Sequence, residues 1–168
     1  MISENSGVVA QRKRWMSVLA QADASALETA CGSLNELTQA QWQWLRPPET
    51  GLVMVRGRAG GTGAQFNLGE MPVTRCALRS GTGATIGVAY VQGRNVRHAE
   101  LAARLDALLQ EPANCERIHT HVIEPLAAAQ AARRDEASRK AAATKVEFYT
   151  LAREAQAPGH TGNTGKEP

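Results

Sequence analysis

The chain has 168 residues, 43% hydrophobic and 21% charged, with a formal net charge of +3. That composition describes a folded globular protein rather than a disordered tail or linker. The charge is too small to argue for nucleic-acid binding by itself. The first fifteen residues, MISENSGVVAQRKRW, hold no apolar run long enough for a signal peptide or a membrane span, so a cytoplasmic protein is expected. Three scattered cysteines, Cys31, Cys76 and Cys115, form no CxxC pair and suggest free thiols in a reducing compartment.

In chain order, residues 1–8 read as a disordered N-terminus. A helix follows from Val9 to Ala20, with Trp15, Met16, Val18 and Leu19 clustered on one side. Ser25 and Glu28 have the spacing of a capping box, which predicts a second helix reaching Leu34 with Leu27, Ala30, Cys31 and Leu34 as its buried stripe. The periodicity then changes to two. Gln41–Arg46 alternates like a strand, Pro47-Pro48 marks a turn or sheet edge, and Leu52–Arg58 is rich in β formers. Met54, Arg56 and Arg58 share one face of that run. Gly60-Gly61-Thr62-Gly63 is a loop, Val73–Arg79 a further strand, Ser80–Gly83 a turn and Thr85–Val91 another strand. The short gaps favour an antiparallel meander.

A helix is expected from Val96 to Leu109, with Leu101, Ala102, Leu105, Leu108 and Leu109 inward and a Glu100–Arg104 pair on its polar side. Residues 113–121 are ambiguous. Glu124-Pro125 opens an alanine-rich helix to Ala143, whose shallow apolar stripe suits packing against another chain. Lys145–Leu151 reads as a late strand and residues 155–168 as a disordered tail. The expectation is therefore one α+β domain over residues 9–154, with an antiparallel sheet of about four to five strands flanked by helices.

Four constellations bear on chemistry. Fifteen of the 19 basic residues are arginine, and seven of them (Arg46, Arg56, Arg58, Arg75, Arg79, Arg94 and Arg97) lie between positions 46 and 97. Only Glu49 and Glu70 oppose them there, leaving a local charge of +5 that exceeds that of the whole chain. Such a field attracts anions or acidic surfaces. The loop Gly60, Gly61, Thr62, Gly63 lets backbone N–H groups approach a phosphate, but no GxxxxGK[ST] pattern is present. Gln92-Gly93-Arg94-Asn95 with His98 and Glu100 stands at a strand-to-helix junction, where free N–H groups favour anions. His98 is either a hydrogen-bonding anchor, a general base or a metal ligand. Cys115, His119 and His121 suggest a zinc set with too few ligands, and no metal is expected. No HExxH, GxSxG or paired-carboxylate motif is visible, which leans against a self-sufficient enzyme.

Several stretches together resemble the PhnG subunit family of the carbon–phosphorus lyase core complex. They are Arg14–Leu19, Glu49–Val53, Arg58–Gly63 continuing through Phe66–Glu70, Val91–Arg94 with His98-Ala99-Glu100, and Val146–Leu151. The resemblance spans about residues 12–154. It implies an accessory subunit assembling with PhnI-, PhnH- and PhnJ-type subunits in phosphonate metabolism. The complex acts as a transferase in which a phosphonate oxygen displaces adenine from ATP, giving α-D-ribose 1-methylphosphonate 5-triphosphate. The nucleosidase-like chemistry is assigned to the PhnI subunit, and an iron–sulfur cluster with S-adenosylmethionine to another, so no cofactor is expected on this chain. Asn95 departs from the family pattern, where an acidic residue is expected after Gln-Gly-Arg. The residues expected to face an anion or a partner are Arg58, Gly60, Gly61, Thr62, Gly63, Arg75, Arg94 and His98, with His98 a weak catalytic candidate. No nucleic-acid or membrane partner is expected, and the sequence leaves open whether the isolated chain self-associates. The competing reading is a free-standing module that binds small anions or nucleotides.

Overall fold

The computed structural model describes residues 2–34, 37, 40–58, 63–81 and 85–143. Helix α1 (Ile2–Gln21) starts seven residues before the expected Val9 and buries Trp15, Val18 and Leu19. Helix α2 (Ala24–Cys31) is capped by Asp23 rather than Ser25. The Asp23 carboxylate accepts the Ser25 and Ala26 amides and the Ser25 hydroxyl, so the residue expected to cap is itself a donor to the cap. The Ser25 hydroxyl, followed by the Ala26 amide, holds the Asp23 carboxyl below the usual carboxylate range.

Three antiparallel strands form one sheet in the order β1 (Trp42–Arg58), β2 (Gln65–Ser80), β3 (Ile86–Gln92). The class is α+β as expected, but the strand count among the described residues is three. The runs 41–46 and 52–58 belong to one strand. Pro47-Pro48 falls within a register shift between Arg46 and Glu49, on a strand that is at the sheet edge among the described residues, where a missing N–H group is tolerated. Strand β2 begins at Gln65, eight residues before the expected Val73. The late strand Lys145–Leu151 and the tail lie outside the described residues.

Helix α3 (Val96–Leu109) runs back across the sheet and buries ten of its fourteen residues, which makes it the centre of the core rather than a surface helix. Its expected stripe is buried, and Asn95 supplies its N-cap, accepting the His98 amide at 2.9 Å. A Cβ on Gly87 of β3 would stand 1.9 Å from the Ala103 carbonyl oxygen, so only glycine lets α3 lie this close to the strand.

The most connected polar group in the described core is Asp106, fully buried on α3. Its carboxylate accepts from Nε and Nη2 of Arg12 (3.1 and 2.7 Å), the Trp15 indole (2.9 Å) and the Val88 amide (3.0 Å). It therefore pins α1, α3 and β3 to one another, and its donors satisfy the charge that burial would otherwise penalise.

The ambiguous stretch is helical. Helix α4 (Pro112–Ile118) passes through a π-helical turn (His119–Ile123) into α5 (Glu124–Ala143). The Glu124 amide reaches back five residues to the His119 carbonyl. The ring of Pro125 would clash with the carbonyl four residues earlier, and the wider turn relieves that clash. Only Leu126 and Gln130 of α5 are buried; Gln130 Nε2 donates to the Val18 carbonyl at 2.6 Å, and residues 131–143 are exposed.

Candidate functional site

Strand β3 pairs with β2 only over Val73–Arg79. Beyond it, among the described residues, Leu52–Arg58 and Gln65–Pro72 pair only with each other. The molecule thus carries a two-stranded arm, about 20 Å long at roughly 3.3 Å per residue, that leaves the three-stranded body. A hydroxyl chain marks its base. Thr74 Oγ1, buried, donates to the Gly93 carbonyl at 2.8 Å and so must accept from Thr50 Oγ1 at 3.0 Å. The Gly93 amide donates to the Pro72 carbonyl at 2.8 Å, with Gly93 at φ +97°, where the chain turns from β3 toward α3.

The register assigns the arm two unlike faces. Directly opposed residues of an antiparallel pair share a face. Val53 opposes Met71, Val55 opposes Gly69, and Gly57 opposes Phe66. A bulge between Val55 and Arg56 leaves Leu68 unpaired, and its side chain lies over Gly57, 3.7 Å from where a Cβ would stand. Val53, Val55, Phe66, Leu68 and Met71 therefore make one apolar face, and Leu68 is 65% exposed, Phe66 46% and Val53 41%. The other face continues the helix-covered side of the sheet. It holds Leu52 and Met54 near the base, with Glu70 opposite Met54, then Arg56 opposite Asn67 and Arg58 opposite Gln65.

The arginine field does not converge. Arg58 is near the far end of the arm, and Arg94 at its base, about 20 Å away by strand length. Arg75 and Arg46 lie on the outer face of the body and share one carboxylate, Glu49 Oε1, at 2.8 and 3.6 Å. Arg97 pairs with Glu100 at 3.6 Å, and Glu100 also meets Arg104 at 3.9 Å. The exposed pairs at Glu49 contribute little to stability. Among the described residues, Arg56, Arg58, Arg79 and Arg94 have no carboxylate within ion-pair distance. Gly60, Gly61 and Thr62 lie outside the described residues; Gly63 stands just before β2.

His98 is buried, and its Nε2 donates to the Leu19 carbonyl at 2.7 Å, tying the start of α3 to the end of α1. That bond places the ring proton on Nε2 and gives this buried imidazole the role of a structural anchor. His121 Nδ1 bonds the Arg117 carbonyl at 2.8 Å and His119 Nδ1 lies 3.5 Å from Glu124, so the two imidazoles serve separate local contacts. Among the described residues no three His, Cys, Asp or Glu side chains are grouped as a metal site would need. Burial pushes the thiols of Cys31 and Cys76 up to about 11, which makes them poor nucleophiles at neutral pH.

A groove of about 1130 Å³ runs between α1 and β3, lined mainly by apolar side chains such as Val9, Met16, Ile86 and Val88. Arg12 is on its wall, already bound to Asp106. It holds none of the sequence-predicted residues. Asp106 and the arm as a unit escaped the sequence reading. An Asp inside an apolar helical stripe, with Arg12 and Trp15 far away in sequence, carries no local signal, while the arm required the register.

The model of the family described as phosphonate metabolism protein PhnG matches residues 10–154. The chain belongs to the PhnG family. A relative from Rhizobium meliloti (strain 1021) is named alpha-D-ribose 1-methylphosphonate 5-triphosphate synthase subunit PhnG. It is 42% identical over 155 residues, covering 90% of this chain and 94% of the relative. Every described element lies in or overlaps the PhnG match, so body and arm both belong to the family unit. Among the described residues no helix is long and apolar enough to cross a membrane.

Proposed function

We propose that this chain is the PhnG subunit of a multi-subunit α-D-ribose 1-methylphosphonate 5-triphosphate synthase. The observation that carries the reading is the 42% identity to a named subunit of that synthase along almost the whole of both chains. In the reaction, the bond from ribose C1 to adenine breaks and a bond from C1 to a phosphonate oxygen forms, with the triphosphate retained. This chain's described residues offer no nucleophile–base pair for that displacement, and His98 is committed to Leu19. Its role is to assemble with PhnI-, PhnH- and PhnJ-type subunits and complete the active one. It carries no cofactor of its own, ATP being a substrate of the assembly, and it works in the cytoplasm.

The dispersal of the arginines disfavours the competing reading of a free-standing anion-binding module. A small anion needs several donors converging within a few ångströms, whereas Arg58 and Arg94 stand at opposite ends of the arm. The test is co-expression with the other synthase subunits. The chain is expected to co-elute with them, and adenine release from ATP plus methylphosphonate is expected from the assembly but not from the chain alone. Adenine release by the purified chain, abolished in His98→Ala, overturns the accessory role.

A further inference from the structure

We propose that the arm Leu52–Arg58/Gln65–Pro72 inserts into a cleft of another synthase subunit, a cleft with one apolar wall and one wall carrying carboxylates. The inference rests on the subunit reading above and identifies the surface that meets the partner. Three observations carry it.

The first is energetic. A two-stranded ribbon without a third strand or a covering layer is marginal in water. Among the described residues both edges of the arm lack a neighbour, since β1 is the outermost strand and the pairing of β3 with β2 goes no further than Val73. Open edges of this length invite pairing or coverage. The second is the apolar face. Phe66, Leu68 and Val53 stand in water beside Val55 and Met71, on the side away from the described helices, while the helix-covered side of the body buries Cys76, Leu78, Ala89 and Val91. A contiguous exposed patch of this kind marks an interaction site. The third is charge. The reverse face ends in Arg56 and Arg58, two residues apart and pointing the same way, with no carboxylate within ion-pair distance of either among the described residues, Glu70 lying further toward the base opposite Met54. The guanidinium fork matches carboxylates in pairs.

The same features choose among occupants. A phosphate ligand is disfavoured because neither arginine lines a groove at α1–β3, α1–α5 or α2–α3, and a charge pair on a fully solvated ribbon is weak. A second copy, stacked apolar face to apolar face, would oppose Arg46, Arg75 and Arg79 of one sheet to those of the other, with only Glu49 on each side to offset them. A flat stack of the arm's five apolar side chains also falls short of the roughly 800 Å² per partner that a stable interface buries. A cleft gripping both faces and both edges avoids each objection.

The experiment uses the full chain co-expressed with the remaining synthase subunits. Leu68→Asp is expected to weaken assembly about 30-fold or more, the scale of losing a buried apolar anchor. The double variant Arg56→Glu/Arg58→Glu is expected to weaken it about 10-fold at low salt, less as salt is raised. Amides 52–58 and 65–71 of the unmodified chain are expected to exchange quickly when free and to be protected in the assembly, a readout that needs no variant to fold. Wild-type affinity in both variants, or arm amides that exchange equally fast in both states, overturns the proposal while leaving the subunit reading intact. A free chain that elutes as a dimer and is dissociated by Leu68→Asp overturns it in favour of a second copy. Failure of the unmodified chain to co-elute with any synthase subunit overturns the subunit reading as well.

Discussion

Strand β2 passes through two different environments. From Thr74 to Ser80 its alternate residues Thr74, Cys76, Leu78 and Ser80 are buried under α3, and its other edge is paired by β3. From Gln65 to Glu70 every residue is exposed, though the backbone is the same continuous antiparallel strand. The body thus has both a second paired edge and a covering helix that the arm lacks, and burial is the larger of the two differences. Backbone pairing contributes modestly once water is counted, whereas apolar burial supplies the main folding free energy. The body should behave as the stability unit and the arm as a surface that can be altered freely until a partner is present.

The largest effect expected from this difference is at the Asp106 hub. Asp106→Ala leaves the Arg12 guanidinium, the Trp15 indole and the Val88 amide without their acceptor. Breaking a buried pair in this way costs about 3–5 kcal/mol. Urea unfolding followed by circular dichroism measures it, and a loss below about 1 kcal/mol would show that the hub is dispensable to the body.

A glycine pair gives the next largest contrast. Gly87→Ala drives a Cβ into the Ala103 carbonyl oxygen, whereas Gly69→Ala on the arm meets nothing within 4 Å. Overpacking of the first kind costs about 1–3 kcal/mol, and an open surface site changes stability by about 0.5 kcal/mol or less. Equal melting temperatures for the two variants would mean that α3 can slide off β3, and the account of the core would have to change.

Much of the body was legible in the sequence because its elements declare themselves locally. The stripe Leu101, Ala102, Leu105, Leu108 and Leu109 has helical period and is buried, and the β3 run sits within one residue of its expected start. What stayed hidden depends on distant pairing. Asp106 reads as a polar interruption of an apolar helix until Arg12 is brought to it from 94 residues away. Residues 65–72 lack a β pattern because their apolar members are few, Gly69 and Pro72 interrupt them, and a bulge at Leu68 shifts the alternation. Cys115, His119 and His121 suggested an incomplete zinc set, but the π-helical turn that Pro125 favours sends the two histidines to separate partners. The arginine field was real as a charge count and misleading as a site, because sequence proximity along a hairpin says nothing about which end of it a residue occupies.

The smallest expected change in stability gives the finest resolution, because it compares two thiols on one strand. Native Cys76 is 2% exposed, its Sγ donates to the Ala99 carbonyl at 3.3 Å, and burial, followed by the nearby Glu100, pushes its thiol up to about 11. The thiolate is the reactive form, so at pH 8 Cys76 is doubly protected, by access and by protonation. The sign follows from the raised value. An unfolded thiol near 9 ionises before the buried one, so the stability Cys76 contributes is complete below pH 9 and is lost as pH climbs toward 11. Leu68→Cys places a thiol eight residues earlier, at a position 65% exposed with no hydrogen-bonding role. The substitution should change stability by about 0.5 kcal/mol or less. Labelling with a maleimide at pH 8 should modify residue 68 at the rate of a free thiol, Cys115 more slowly from its half-buried site, and Cys76 last. In the assembled synthase, residue 68 should fall to the slow group while Cys76 stays where it was. Equal labelling of residues 68 and 76 in the free chain would erase the boundary at Thr74 and make arm and body one environment.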